Sequence, residues 1–147
     1  MKNNMKFRLA EKCLYDYHAN LKRLEILLED LKILRINGDV HAQNYQAAFG
    51  SHSEISDPVL KHVEKIQSLE NQIKRLKHNT VPITNLIADI EKIRHSRKNE
   101  EYRQILIMFY FSDYSLTEVA DELHMSMRTI SRRRRSLVFK TIGYLGI

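Results

Sequence analysis

Two stretches of the chain repeat apolar residues at alternating spacings of three and four positions, and this repeat constrains the fold most. The first stretch contains Leu14, Tyr17, Leu21, Leu24, Leu28 and Leu31. The second contains Val59, His62, Ile66, Leu69, Ile73 and Leu76. Such spacing places an apolar stripe along one side of a helix and is typical of helices that pack against other helices. With only four glycines and two prolines in the chain, the sequence predicts an all-α fold.

The first of these helices is predicted to end at Asn37 and Gly38, because both residue types adopt the left-handed conformation that ends many helices. Residues 38–56 show no apolar periodicity and are predicted to form a loop, with some helical content around Tyr45–Phe49. The tripeptide Ser-Asp-Pro at 56–58 then predicts the start of the second helix, since it offers capping side chains before a proline at the first helical position.

Pro82 predicts a break or a kink, because proline lacks the N–H that a helix interior uses. Apolar residues beyond it nevertheless stay in phase with the heptads, namely Ile83, Ile87 and Ile90. Residues 58–98 are therefore either one long kinked helix or two helices.

The chain is predicted to divide into a helical front part and a C-terminal domain. The front part is either a long antiparallel helical hairpin or one strand of an intermolecular coiled coil. The polar segment at 95–99 (HSRKN) marks a plausible boundary. We expect residues 1–98 to form an oligomerisation or partner-binding region, with a loop at about 38–57, and residues 99–147 to form the second domain.

The C-terminal domain carries the pattern of a helix-turn-helix. Ser115 can accept a hydrogen bond from the N–H of Glu118, which starts a two-turn helix. Its inward face is formed by Leu116, Val119, Ala120 and Leu123. After His124, Ser126 can cap a second helix that runs from about Met127 to Thr141. A short helix, a tight turn and a second, exposed helix form the arrangement that many proteins insert into the major groove of DNA.

The second helix of this motif presents a cationic outer face. At 100° per residue, Arg128, Arg132 and Arg135 lie opposite the apolar residues Ile130 and Leu137. Arginine can bind guanine or phosphate with two parallel hydrogen bonds, so these three residues are the candidate base readers. The candidate contacts to the DNA backbone are Ser126, Thr129, Ser131 and Arg133.

Arg134 is expected to behave differently, because the helical wheel places it on the inner side of the second helix. An unpaired guanidinium would be costly there. We expect it to pair with an acid of the preceding helix, either Glu118, Asp121 or Glu122, and to read no bases.

The distribution of charge supports a polyanionic partner. Residues 1–125 carry 18 basic and 18 acidic residues, whereas residues 126–147 carry six basic residues and no acid. The net charge of +6 therefore lies entirely at the C-terminal end, as is typical of a nucleic-acid contact surface.

The segment YSLTEVADELHMSMRTISRRRRSLVFKTIG resembles the helix-turn-helix of bacterial sigma factor region 4. With helices in front and this module at its end, the chain resembles the phage late-gene transcriptional regulators of the RinA, ArpU and LtrC types. The resemblance implies a sequence-specific DNA-binding protein, an activator of late genes of phages or phage-related islands. It implies double-stranded DNA and the host RNA polymerase as partners, within the cytoplasm of a bacterial host cell. Because no sigma region 2 is recognisable, promoter melting is not implied.

Several other classes of protein are disfavoured. The chain has no Gly-rich phosphate loop, nucleophile elbow or HExxH motif, and its histidines lack metal-ligand spacing. We therefore expect no enzyme, cofactor or metal. A single cysteine, Cys13, fits a reducing compartment. The longest apolar run has seven residues, far below the roughly 20 that span a membrane, and we expect a soluble cytoplasmic protein.

Two alternative functions stay open. One is a small terminase subunit, which also combines a helix-turn-helix with oligomerisation helices. The other is a coiled-coil adaptor whose arginines contact an acidic protein. For the favoured regulator, we expect a homodimer formed through the N-terminal helices.

Overall fold

The computed structural model describes residues 2–49, 57–93 and 95–147, and in these ranges it contains helices and no strand. The helices are α1 (Lys2–Phe49), α2 (Asp57–Lys92), α3 (Arg97–Ile105), α4 (Leu116–Leu123) and α5 (Met127–Leu145). A π-helical turn, Leu106–Tyr110, continues α3 directly. The prediction of an all-α fold with long front helices and a C-terminal helix-turn-helix is confirmed.

Helix α1 does not end at Asn37 and Gly38 as predicted, but continues to Phe49. The expected loop is therefore wrong for residues 38–49, while the helical content at Tyr45–Phe49 is confirmed. Residues 50–56 lie outside the described ranges. Gly38 has a different role, because a Cβ atom at this position would collide with the imidazole of His62 on α2. The glycine makes room for the His62 ring against α1 instead of ending the helix.

Helix α2 passes through Pro82 without interruption, so the alternative of one long helix is the correct one. Proline leaves the carbonyl four residues earlier without its usual backbone donor. Burial of side chains on both sides of Pro82 offsets the missing hydrogen bond. Thr80 and Ile83 are at most 1% exposed, and the apolar stripe continues beyond them. The helix ends at Lys92, and Ser96 caps α3 by accepting a hydrogen bond from the N–H of Asn99 (3.4 Å).

The chain forms two compact units. One consists of Leu21–Lys77, and the other combines Met1–Asn20 with His78–Ile147. The second unit thus includes the start of α1 and the end of α2 in addition to α3, α4 and α5. This division differs from the functional boundary expected between residues 98 and 99, which stays a prediction.

The unit Leu21–Lys77 is an antiparallel hairpin of α1 and α2. Its buried centre consists of Leu27, Leu31 and Ile73, and an ion pair joins Arg35 to Glu70 (2.8 Å). The predicted stripe position Leu28 is 42% exposed, and Leu27 is buried in its place. Leu24, Leu27 and Leu31 are spaced by three and four positions, so the buried stripe of the hairpin runs through Leu27 and not through Leu28.

The other unit is built around residues from both ends of the chain. Leu14 and Tyr17 of α1 are buried, and the Tyr17 hydroxyl lies 2.8 Å from the hydroxyl of Thr84 on α2. The aromatic ring of Tyr17 also stacks on Phe111, just after the π-helical turn (centroids 5.8 Å apart). These contacts hold the first turns of α1 beside the helices that carry the C-terminal motif.

Candidate nucleic-acid interface

Helices α4 and α5 form the predicted helix-turn-helix, with both caps in place. The side chain of Ser115 accepts a hydrogen bond from the N–H of Glu118 (3.2 Å), and that of Ser126 accepts one from the N–H of Thr129 (3.2 Å). Between the helices, His124 adopts the left-handed conformation with φ 53°. A non-glycine residue in this region is uncommon but histidine tolerates it, so the turn forms without glycine.

A small apolar core fixes the angle between α4 and α5. Val119 and Ala120 of α4 are buried together with Ile130 of α5. Partly buried side chains close around them, namely Met108, Phe109, Leu116, Leu123 and Met125. Because Ala120 is small, α5 can cross close to α4 at this point. The inward face predicted for α4 is confirmed at Val119 and Ala120, and α5 extends four residues beyond the predicted end, to Leu145.

The three candidate base readers share one exposed face of α5. Arg128, Arg132 and Arg135 are all exposed, whereas Ile130 and Leu137 on the opposite side are at most 1% exposed. Within the described ranges, none of these three arginines forms an ion pair with a carboxylate. Three uncompensated guanidiniums therefore face away from the core along a helix that starts at a capped turn.

The hydroxyl residues near the start of α5 lie beside this face. Ser126 and Ser131 are exposed, and Thr129 is partly exposed. The hydroxyls of Ser126 and Thr129 lie 2.9 Å apart and hydrogen-bond to each other. Their assignment to phosphate contacts stays a prediction.

Arg133 differs from the three exposed arginines because it has a carboxylate partner. Its Nε lies 2.6 Å from Oε2 of Glu101 on α3, and its side chain is 38% exposed. The other oxygen of the same carboxylate lies 3.7 Å from Nε of Arg97. The Glu101 side chain is only 9% exposed, so it is nearly enclosed between the two guanidiniums. No local pattern indicated this partner, because it lies 32 positions before Arg133.

Arg134 is paired with an acid, as predicted, but the acid is Glu11 of α1 and not a residue of α4. Nε of Arg134 donates to Oε1 of Glu11 (2.9 Å), and Nη2 contacts the same oxygen. The hydroxyl of Tyr110 also donates to this oxygen (2.9 Å), and the guanidinium stacks 4.7 Å from the centroid of Phe109. The named candidates Glu118, Asp121 and Glu122 were wrong, and all three are exposed on α4.

Burial and hydrogen bonding shift the acid-base properties of this cluster. Burial alone would lower the pKa of Arg134, but the hydrogen bonds to Glu11 and Tyr110 outweigh it and raise that pKa above its ordinary value. For Tyr110, burial is the largest effect and raises the pKa of the phenol strongly, with the Glu11 charge acting in the same direction. Arg134 is therefore a permanently charged structural residue, and Tyr110 stays protonated in the folded chain.

The first turns of α1 contact α5 just beyond the row of exposed arginines. Phe139 lies on the same side of α5 as Arg132, seven positions later, and its ring packs edge-on against Phe7 with centroids 5.8 Å apart. Phe139 remains 50% exposed. Neither phenylalanine was predicted to lie at the site, since nothing local indicated that residues 132 positions apart would meet.

The described residues include no group of three or more His, Cys, Asp or Glu side chains arranged to hold a metal ion. Among the helices in the same ranges, none is both long enough and apolar enough to cross a membrane.

The sequence model of one protein family matches this part of the chain. The family is Sigma-70, region 4, and the match covers residues 99–135. These residues form a sigma-region-4-like helix-turn-helix. The match runs from the first turn of α3 through Arg128, Arg132 and Arg135. It indicates a DNA-binding, regulatory function for this domain. No curated protein and no solved structure matches the chain.

Proposed function

We propose that the protein is a sequence-specific DNA-binding regulator of transcription. The observation that carries this proposal is the row formed by Arg128, Arg132 and Arg135, exposed and without carboxylate partners, on the second helix of a sigma-region-4-like helix-turn-helix. A helix of this diameter fits the major groove of B-DNA, where the planar fork of arginine reads O6 and N7 of guanine.

In this proposal the remaining site residues orient the helix on the duplex. Ser126, Thr129 and Ser131 contact phosphate oxygens near the start of α5, where the helix dipole also favours an anion. Arg133 contributes a contact to the DNA backbone from the side of α5. Its ion pair with Glu101 turns it away from the reading face, which is the side of α5 that carries Arg128, Arg132 and Arg135. Arg134 takes no part in reading bases, because Glu11 and Phe109 hold it.

The regulatory role is proposed to be activation of late genes in a phage or phage-related island. Two features support this role. The helix-turn-helix resembles that of regulators of the RinA, ArpU and LtrC types, and it follows long helices as it does in those regulators. Such a protein would act in the cytoplasm of a bacterial host, with the host RNA polymerase as partner. In this division, residues 99–147 bind DNA and residues 1–98 bind a second copy or the polymerase.

A homodimer through the front helices is part of this proposal. The hairpin of α1 and α2 buries Leu27 and Leu31 but leaves Ile26 and Ile33 of α1 52% and 47% exposed. The two isoleucines are seven positions apart and share one side of α1, and exposed apolar side chains on one helix face are typical of surfaces that bind another protein. Two copies joined in this way would present two recognition helices to half-sites about 10 bp apart, or a multiple of that spacing.

The test is a selection of bound sequences from a random pool of double-stranded DNA at about 150 mM salt, a concentration that screens weak non-specific binding. The full chain is compared with the variant Arg128→Ala/Arg132→Ala/Arg135→Ala. A matched control removes three cations from an exposed part of α2: Lys74→Ala/Arg75→Ala/Lys77→Ala.

We expect a defined motif with the natural chain and the control, and loss of that motif with the arginine variant. Binding without any motif that falls steeply with salt would instead indicate a packaging or architectural protein. Absence of binding to every duplex would contradict a DNA-binding function and favour an adaptor.

A further inference from the structure

A second group of cations flanks α5 on the side that faces α3. Lys140 of α5 and Lys98 of α3 converge on one aromatic ring, with their ammonium nitrogens 5.7 Å and 5.8 Å from the centroid of Tyr102. The Tyr102 hydroxyl lies 2.6 Å from that of Ser136, which fixes the ring against α5. The two lysines are exposed, and their contacts with the Tyr102 ring hold the ammonium groups at defined places on the surface.

This group is net positive. Neither Lys98 nor Lys140 forms an ion pair with a carboxylate in the part of the chain that the structure describes. The nearby carboxylate of Glu101 is 9% exposed and is shared between Arg97 and Arg133, so it does not neutralise the lysines. We call Arg97, Lys98, Arg133 and Lys140 the flanking patch.

The flanking patch lies beside the reading face and not on it. At 100° per residue, Arg133 and Lys140 are about a third of a turn from the mean direction of Arg128, Arg132 and Arg135. When a helix lies in the major groove with its reading face towards the bases, its sides face the two sugar-phosphate strands. The flanking patch would then face one of these strands.

We infer that Lys98 and Lys140 form a second contact to the DNA phosphate backbone, one that supplies affinity without sequence preference. This inference rests on the proposed function and extends its interface from α5 to α3. Lysine suits the role, because it is a flexible point charge that binds phosphate without demanding a fixed geometry.

The test measures how binding depends on salt concentration. The full chain and the variant Lys98→Gln/Lys140→Gln are titrated with the selected motif duplex and with a random-sequence duplex at several potassium chloride concentrations. The control Lys74→Gln/Lys77→Gln removes the same charge from exposed positions of α2. The single variants Lys98→Gln and Lys140→Gln accompany them, and thermal unfolding verifies that each variant folds.

The slope of log K against log salt concentration is negative, and each lost phosphate contact reduces its magnitude by about 0.9. We therefore expect the slope of the double variant to be about 1.8 less negative, affinity for both duplexes to fall by the same factor, and the preferred motif to stay the same. The control should keep the natural slope.

An unchanged slope, or a change that the control reproduces, would overturn the inference, as would an altered motif. If the natural chain binds neither duplex, the proposed function fails and the inference fails with it. If the natural chain binds the motif and the lysine variants have the same salt dependence as the natural chain, the proposed function stands and this inference alone is wrong.

Discussion

The carboxylate of Glu11, in the third turn of the first helix, holds the guanidinium of Arg134 in the middle of the recognition helix (Nε to Oε1 2.9 Å). The two side chains are 16% and 23% exposed, so the pair is largely removed from water. Tyr110 donates to the same carboxylate. The start of the chain is thus fixed to the helix that is proposed to read DNA.

Removal of one member of this pair is expected to destabilise the fold and to leave the DNA motif unchanged. Arg134→Ala strands the Glu11 carboxylate, and breaking a buried ion pair in this way costs about 3 kcal/mol. Urea unfolding followed by circular dichroism measures the loss. Arg128→Ala is the control and should alter stability by no more than about 0.5 kcal/mol, because its side chain is exposed. Lower DNA affinity for Arg134→Ala at undiminished stability would show that Arg134 contacts DNA.

Arg132→Ala is expected to cost roughly 1–3 kcal/mol of binding free energy and to relax specificity at one base position. The reason is that Arg132 lies at the centre of the exposed arginine face, where a two-bond contact to guanine distinguishes one base from the others. Affinities for duplexes with each base substituted in turn measure the effect. Equal loss for all duplexes would make Arg132 a phosphate contact instead.

The local features of this chain could be predicted from its sequence, because they depend on neighbouring residues. Both helix caps, at Ser115 and Ser126, and the outward direction of Arg132 follow from spacings of three and four positions. The turn at His124 also formed as predicted, although nothing in the sequence required a non-glycine residue to take positive φ.

The contacts between distant parts of the chain could not be predicted in this way. Helical spacing placed Arg134 on the inner side of α5, yet its partner Glu11 lies 123 positions earlier and on another helix. Gly38 was interpreted as a helix end because the same residue type serves both for termination and for close helix packing. Only the position of His62 on α2 distinguishes the two roles.

Alkaline solution is expected to destabilise the folded chain through Tyr110. Burial, the largest cause, raises the pKa of this phenol above its ordinary value near 10. Below pH 10 both the folded and the unfolded chain keep the proton. Above it the unfolded chain loses the proton first, so the free energy of unfolding falls as pH rises, by up to about 1.4 kcal/mol per pH unit for this group.

Urea unfolding between pH 9 and pH 11.5 tests this expectation. Tyr110→Phe should be less stable than the natural chain at pH 9, because it loses the hydrogen bond to Glu11, but its stability should decline less steeply above pH 10. Tyr114→Phe is the control, since that side chain is 40% exposed. Equal slopes for the natural chain and Tyr110→Phe would contradict the expectation, because they would mean that Tyr110 ionises as readily in the folded chain as in the unfolded chain.

If the chain forms the proposed homodimer, we expect substitutions at Ile26 and Ile33 on the exposed face of α1 to disrupt it. Ile26→Gln/Ile33→Gln removes two large apolar side chains that the hairpin itself leaves exposed, so we expect the dimer to dissociate while the hairpin stays folded. Sedimentation velocity of the full chain should then give the 17.4 kDa of a single chain. Ile93→Gln is the matched control, because Ile93 is 59% exposed but follows α2.

The same variant separates dimerisation from DNA reading. It should retain the motif of a single half-site but lose the preference for two half-sites at a fixed spacing, because each recognition helix remains intact while the link between them is gone. A natural chain that sediments as a monomer would contradict the dimer. A dimer that survives the double substitution would show that the contact lies on another surface than the one formed by Ile26 and Ile33.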